Sequence, residues 1–211
     1  MFLHHAPFWL RAIYPNFVWR IRTNDKVLFL TFDDGPIPDV TEFVLSTLED
    51  HAARATFFCI GENVRKHPAI YQQLIGKDHT VGNHTFNHLN GWKTANDTYT
   101  ENICRCDEQL GLHTRLFRPP YGRIKRAQAS VLLPERKIVM WDVLSGDFSQ
   151  EITPEKCLRK TIQYGRPGSI VLFHDSLKAR KNMEYALPRV LDHFGGLGYR
   201  FASLPMNEPA L

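Results

Sequence analysis

The chain reads as an α/β protein on a parallel sheet that closes into a distorted, seven-stranded (β/α) barrel of the TIM-barrel kind. Three observations predict it. Short apolar runs alternate with longer helical patterns along the whole sequence. The 211 residues suffice for one full core, and no repeat, low-complexity tract or linker divides them. The residues of chemical interest all follow predicted strands. A barrel gathers such positions on one rim, whereas an open doubly wound sheet gathers only those at its switch point.

Strands are expected at 27–32, 55–60, 80–83, 116–118, 137–143, 169–173 and 200–203. Helices are expected at 40–51, 62–75, 95–112, 124–133, 154–164 and 183–194. Thr153 before Pro154 reads as an N-cap with proline at the first helical position, and Gly195, Gly196 and Gly198 read as a helix stop. Residues 1–25 are expected to form an N-terminal cap on the barrel, with Phe8, Trp9, Leu10, Phe17 and Trp19 packing inward rather than attaching to a membrane; residues 26–211 form the main domain. Pro7, Arg11, Pro15 and Arg20 interrupt every apolar stretch of that segment, so it shows no signal-type core. No stretch is long enough for a transmembrane helix. A cytoplasmic location, a monomeric state and no nucleic-acid partner are the expectations. Cys59, Cys104, Cys106 and Cys157 lack paired-ligand spacing and read as reduced, mostly buried thiols, which suits a reducing compartment.

The strongest motif is Thr31-Phe32-Asp33-Asp34-Gly35-Pro36 at the end of the first strand. Two adjacent carboxylates at a strand mouth repel each other and resist desolvation unless a cation sits nearby, and a metal ion meets that need. His84 and His88, at i and i+4, are expected on one face of a helical turn, and neutral imidazoles are favoured ligands for Zn, Fe, Ni or Cu. No Glu lies between them as in a zinc protease helix, so a general base must come from the Asp33–Asp34 pair. Two histidines and one carboxylate leave coordination positions open, as catalysis requires. Arg118, before Pro119-Pro120-Tyr121-Gly122, can hold a carboxylate in a fixed direction. The run from Trp141 to Phe148 sets polar groups among apolar ones. His174 ends the 169–173 strand and is free to act as a general acid, its pKa raised by a partner carboxylate.

Together these motifs resemble the polysaccharide deacetylases, carbohydrate esterase family four, including the chitooligosaccharide-deacetylase type. The resemblance runs from about Lys26 to Ser203, with five motifs in the family's order. It implies that Asp33 is the catalytic base and that Asp34, His84 and His88 hold one divalent metal, zinc first, with Co, Ni, Mn or Fe as other candidates. It implies that Arg118 orients the base and that the Tyr121 backbone amide faces an oxyanion. Asp147 would tether the catalytic acid His174, and Leu172 would line the acetyl-methyl pocket. The family's fold is a distorted seven-stranded barrel. The chain departs from the family's Asp-Ser-x-Asp-Trp: Leu144 replaces the first aspartate, and Phe148 replaces a tryptophan of the acetyl pocket.

The implied activity is metal-dependent removal of acetyl groups from N-acetylhexosamine units of a glycan or glycoconjugate, releasing acetate. The alternatives are an O-acetyl carbohydrate esterase on the same scaffold, a non-catalytic glycan-binding module, and a two-His-one-carboxylate iron oxygenase. The alternating α/β pattern and the second Asp speak against the oxygenase. Trp141, Phe148, Leu172 and Trp92 are the candidate substrate-binding residues, with Trp92 stacking on a sugar ring. Lys93, Arg123, Lys125, Arg126, Lys178, Arg180 and Lys181 are expected on loops of the same rim, where they would favour an anionic substrate.

Overall fold

In the computed structural model, residues 3–112 and 114–205 are described. Chain order is α1 (Phe8–Ile13), β1 (Val27–Asp33), α2 (Val40–Asp50), β2 (Ala55–Cys59), α3 (Gly61–Lys66), α4 (Pro68–Gly76), β3 (Thr80–Asn83), α5 (Asn96–Leu110) and β4 (Leu116–Phe117). There follow α6 (Arg126–Leu132), β5 (Lys137–Ile138), β6 (Val143–Leu144), α7 (Pro154–Tyr164), β7 (Ile170–His174), α8 (Arg180–Gly196) and β8 (Arg200–Phe201). The sheet order is β5-β4-β3-β2-β1-β7-β6, every pairing is parallel, and β8 pairs with the first residues of β1. The sheet curls into a half-barrel wrapped by helices.

All seven residues of β1 are buried, as a central parallel strand requires. Alternation divides them between two layers. Leu28, Leu30 and Phe32 point outward and pack with Phe57, Val171 and Phe173 against residues of α2, α7 and α8. Val27 and Phe29 point into the barrel with Phe58, Leu116, Val139 and Ile170. Thr31 and Asp33 continue that inner face toward the rim.

Two expected elements are broken. The predicted strand 137–143 is two separate pairs of strand residues, because Val18 inserts beside it. Val18 N donates to Ile138 O at 2.8 Å, and Met140 N donates to Val18 O at 2.8 Å. The predicted helix 62–75 splits into α3 and α4 at His67, whose φ of −128° and ψ of 56° leave the helical region that Pro68 disfavours for the residue before it.

Residues 3–25 run along the gap between β5 and β6. Ala6 N donates to Asp142 O, and Leu144 N donates to His4 O. Leu10, Tyr14, Phe17 and Trp19 pack into a cluster with Phe117, Ile124 and Met140. α1 itself buries no residue, and Phe8, Trp9 and Ile13 are 83%, 50% and 51% exposed, so Phe8 and Trp9 do not join that cluster. Asp142, fully buried, pairs with Arg11 and accepts from Ser169 Oγ at 2.7 Å; Arg166 and Arg20 lie 3.5 and 4.0 Å away. All four cysteines are free, and Cys104 alone is exposed. No helix of the described residues is long and apolar enough to cross a membrane.

Candidate active site

Asp33, Asn83, Arg118 and His174 stand at the carboxyl ends of neighbouring strands or one residue beyond them, so the curl of the sheet brings their side chains to one rim. Asp34 follows with a φ of 85°, outside the strand region, and its carboxylate and that of Asp33 both lie within 4 Å of His84 Nε2. Asn63 Nδ2 holds the turn by donating to Asp34 O at 2.7 Å. The segment from His84 to His88 is not the helical turn expected. Thr85 and His88 both adopt positive φ, 63° and 55°. Asn83 Oδ1 accepts from Thr85 N, and Asn102 Oδ1 on α5 accepts from Phe86 N and Asn87 N, so side chains replace the helical hydrogen bonds. The loop still brings the two imidazole centroids to 5.1 Å.

Asp34, His84 and His88 offer ligand atoms all within 4.8 Å of one another. His88 Nε2 is 3.3 Å and His84 Nε2 3.7 Å from Asp34 Oδ1. His84 Nδ1 donates to Arg118 O at 2.7 Å, which fixes the tautomer and leaves the unprotonated Nε2 lone pair free to ligate. Burial, with the neighbouring His88, drives the His84 pKa down to about 3 against the pull of Asp34. Burial also lowers His88. Both rings are therefore neutral, the form that ligates a metal. Asp34 Oδ1 is buried without any hydrogen-bond partner, an orphan acceptor that a divalent cation would satisfy. The donor set fits zinc and its divalent neighbours.

Asp33 has a different partner. Arg118 Nη1 donates to Asp33 Oδ1 at 2.7 Å and to Thr31 Oγ1 at 2.8 Å. Its Nη2 and Nε donate to the carbonyls of Met140 and Val139, and its guanidinium lies 4.1 Å from the Phe58 ring centroid. The arginine is fully buried in the barrel interior, so each of those contacts offsets its desolvation. Asp33 Oδ2 is left facing His84 Nε2 at 3.8 Å.

Across the rim, Asp147 grips His174 twice: His174 N donates to Oδ2 at 2.7 Å and Nδ1 donates to Oδ1 at 2.8 Å. Phe148 N also donates to Asp147 Oδ1, and Asn182 on α8 donates to Asp147 O. Burial alone would lower the His174 pKa; the charge and hydrogen bond of Asp147, with Asp34 and Asp33, raise it to about 9. The Phe148 ring meets the His174 ring edge-on at 5.1 Å.

Tyr121 has a φ of 61° and its ring sits 4.6 Å from that of His88; Trp141 packs under the same turn, 2.8 Å from where a Cβ on Gly122 would lie. Leu172, buried on β7, pairs with Thr31 of β1 and precedes His174 on the same face. Trp92 lies farther along the rim, its Nε1 donating to Ile124 O and its ring 5.1 Å from the Arg123 guanidinium. Other expected rim cations are already engaged: Lys125 donates to Thr94 O, and Arg180 pairs with Glu184.

Asp175 has a part that the sequence did not announce. It is fully buried, its Oδ1 accepts from Gly35 N at 3.0 Å, and its Oδ2 accepts from Thr41 Oγ1 at 2.6 Å. A Cβ on Gly35 would lie 1.9 Å from Asp175 Oδ2, so only glycine fits there. Burial, with the charge of Asp34, pushes its carboxyl up to about 8. The His174-Asp175 dipeptide was visible, but no local pattern says which turn Asp175 reaches.

Carboxylates and imidazoles converging on one rim of a parallel half-barrel define a hydrolytic α/β-barrel enzyme. Comparison with known proteins narrows the class. A family model described as polysaccharide deacetylase matches residues 20–133. The chain is 36% identical over 202 residues to a chitooligosaccharide deacetylase of Azorhizobium caulinodans, covering 91% of each. It is 32% identical over 188 residues to a peptidoglycan-N-acetylglucosamine deacetylase of Bacillus cereus, covering 86% of this chain and 68% of that protein. The structure matches the solved Bc1960 peptidoglycan N-acetylglucosamine deacetylase with a TM-score of 0.87 at 29% identity, covering 95% of both. The chain belongs to the polysaccharide deacetylase family, carbohydrate esterase family four, a group of hydrolases that cleave carbon–nitrogen bonds of N-acetylated polysaccharides. The same fold occurs in a family-four pseudoenzyme of Bacillus anthracis, with a TM-score of 0.79 at 22% identity, so activity must be argued from the site.

Proposed function

We propose that the protein removes the acetyl group from N-acetylhexosamine units of a glycan or glycoconjugate and releases acetate, with a divalent metal held by Asp34, His84 and His88. The observation that carries this reading is the pairing of opposites on one rim: a carboxylate oriented by Arg118 on one side and an imidazole charged by Asp147 on the other. The bound metal supplies Lewis-acid polarisation of the acetyl carbonyl and of the attacking water. Asp33, its Oδ1 occupied by Arg118, takes the water's proton on Oδ2. The Tyr121 amide donates to the oxyanion as the tetrahedral carbon forms. His174, protonated at neutral pH, gives its Nε2 proton to the departing nitrogen, which is too basic to leave as an anion. Leu172 and Phe148 enclose the acetyl methyl, and the pinned indole of Trp92 offers a stacking face for a sugar ring.

The relatives named chitooligosaccharide and peptidoglycan deacetylases support a β-linked N-acetylglucosamine polymer or oligomer as the substrate class. The test is acetate release from chitooligosaccharides, peptidoglycan and acetylated xylan by the Zn-, Co- or Mn-loaded enzyme, before and after chelation. Release from the N-acetylated substrates, lost on chelation and restored by metal, is the expected result. Release from xylan alone would make the protein an O-acetyl esterase.

A further inference from the structure

The end of the barrel opposite the active site carries a surface that deacetylation does not use. A groove of about 940 Å³ opens beside the starts of β4 and β5 and runs along residues 15–22. Arg11, Arg20, Arg22, Arg115, Arg136 and Lys137 line it, against a single carboxylate, Glu135. Some of this charge is compensated: Arg11 pairs with Asp142, and Arg136 with Asp107. Arg22 and Arg115 are exposed, and among the described residues neither has a carboxylate within 4.0 Å. Residues 1–24 contain three arginines and no Asp or Glu, although the whole chain has 22 acidic residues.

Beside the groove, α1 presents its apolar residues to solvent. Trp9 and Ile13, at i and i+4, share a face, with Phe8 at its edge and Leu3, 56% exposed, just before the helix. Leu10 turns the other way, into the barrel cluster. Clustered aromatic and aliphatic side chains in water mark a surface that meets something apolar. Aromatic rings flanked by arginines, with Glu135 the one carboxylate among the described lining residues, match the boundary between lipid tails and anionic headgroups.

We propose that this face docks on an anionic membrane surface. Phe8, Trp9, Ile13 and Leu3 enter the headgroup–acyl boundary while Arg22 and Arg115 meet lipid phosphates. A second copy of the chain would have to bring carboxylates to the arginines, and the surface itself offers almost none, which favours the bilayer as the occupant. Docking by this face turns the catalytic rim away from the lipid, toward whatever polymer lies beyond it.

The test is co-sedimentation of the full chain with vesicles of phosphatidylcholine alone and of phosphatidylcholine with about one-third phosphatidylglycerol. Wild type is expected to bind the anionic vesicles, more weakly at 0.5 M than at 0.05 M salt, since the screening length falls well below about 10 Å above 0.1 M. Arg22→Ala and Arg115→Ala should each weaken binding about fivefold, the usual worth of one cation near an anionic surface. Phe8→Ser/Trp9→Ser should weaken it about tenfold or more. All variants should keep wild-type circular dichroism and wild-type activity on a soluble chitooligosaccharide, so a folding defect is visible separately. Equal binding to neutral and anionic vesicles, or no binding to either, overturns the proposal. A concentration-dependent dimer in sedimentation equilibrium that Phe8→Ser/Trp9→Ser dissolves would give the patch to a second copy instead.

Discussion

His84 and His174 stand on opposite sides of the same rim, each at or just after a strand end, each with its Nδ1 committed to a hydrogen bond. Burial pushes both toward neutrality. His84 finds a backbone carbonyl and the neighbouring His88, and its pKa falls to about 3. His174 finds the Asp147 carboxylate, and its pKa climbs to about 9. The comparison teaches that burial does not decide the charge of a histidine; the acceptor behind the ring does. One rim thereby holds a neutral imidazole suited to a metal and a charged one suited to proton donation at the same pH.

The largest expected effect comes from removing the neutral side. Asp34→Ala or His84→Ala should lose bound metal and reduce acetate release to background. Asp33→Asn should lose roughly 10²–10⁴-fold in activity yet hold near wild-type metal, because its carboxylate is spent on Arg118 and the water rather than on coordination. Metal analysis of the three variants decides the point: if Asp33→Asn is as depleted as Asp34→Ala, the division between the two aspartates is wrong.

The charged side is sharpened by leaving-group chemistry. His174→Ala should slow amide hydrolysis by roughly 10²–10⁴-fold while scarcely affecting an activated acetyl ester, whose alcohol departs without a proton. Equal losses on both substrates would take the acid role away from His174.

A smaller effect should follow from changing only the acceptor. A raised pKa means that the charged form of His174 is favoured in the folded state. The resulting stability is complete below pH 6.5, the ordinary histidine value, and is lost as pH rises through about 9. Activity that needs the charged ring should likewise fall on an alkaline limb near that value. Asp147→Asn should move the limb to lower pH and flatten the dependence of the melting temperature between pH 6 and pH 10. A limb that stays in place would mean that Asp147 only positions the ring.

The smallest change concerns the turn beneath Asp34, one of the proposed metal ligands. Asp175→Asn keeps the size of the side chain but cannot accept from both Gly35 N and Thr41 Oγ1 through carboxylate oxygens. Metal affinity is expected to drop about tenfold, with folding intact and kcat recovered at saturating metal. Isothermal titration with zinc reads this directly, and unchanged affinity would reduce Asp175 to a packing role.

Much of this was legible in the sequence for a physical reason. Buried parallel strands announce themselves as unbroken apolar runs, and Val27–Asp33, Ala55–Cys59 and Ile170–His174 did so. The convergence of Asp34, His84 and His88 was legible because carboxylates and imidazoles at strand ends have few structural uses. What was hidden depends on partners distant in sequence. The break in strand 137–143 comes from Val18, more than a hundred residues earlier. The loop at His84–His88 obeys Asn102, a side chain on a later helix, rather than its own spacing. Asp175 reaches back 140 residues to Gly35. The exposure of Phe8 and Trp9 was equally invisible, since aromatic composition does not say which face a short helix turns to the barrel.

Arg118 touches both halves of the chemistry at once. Its guanidinium fixes Asp33, and its own carbonyl fixes His84, so the proposed proton acceptor and the proposed metal ligand hang from one residue. Thermal displacement at the end of β4 therefore carries the two groups together, and their mutual separation is buffered against motion that would otherwise spoil it. The site behaves like two instruments on a common mount: vibration shifts the pair in space but leaves their alignment intact.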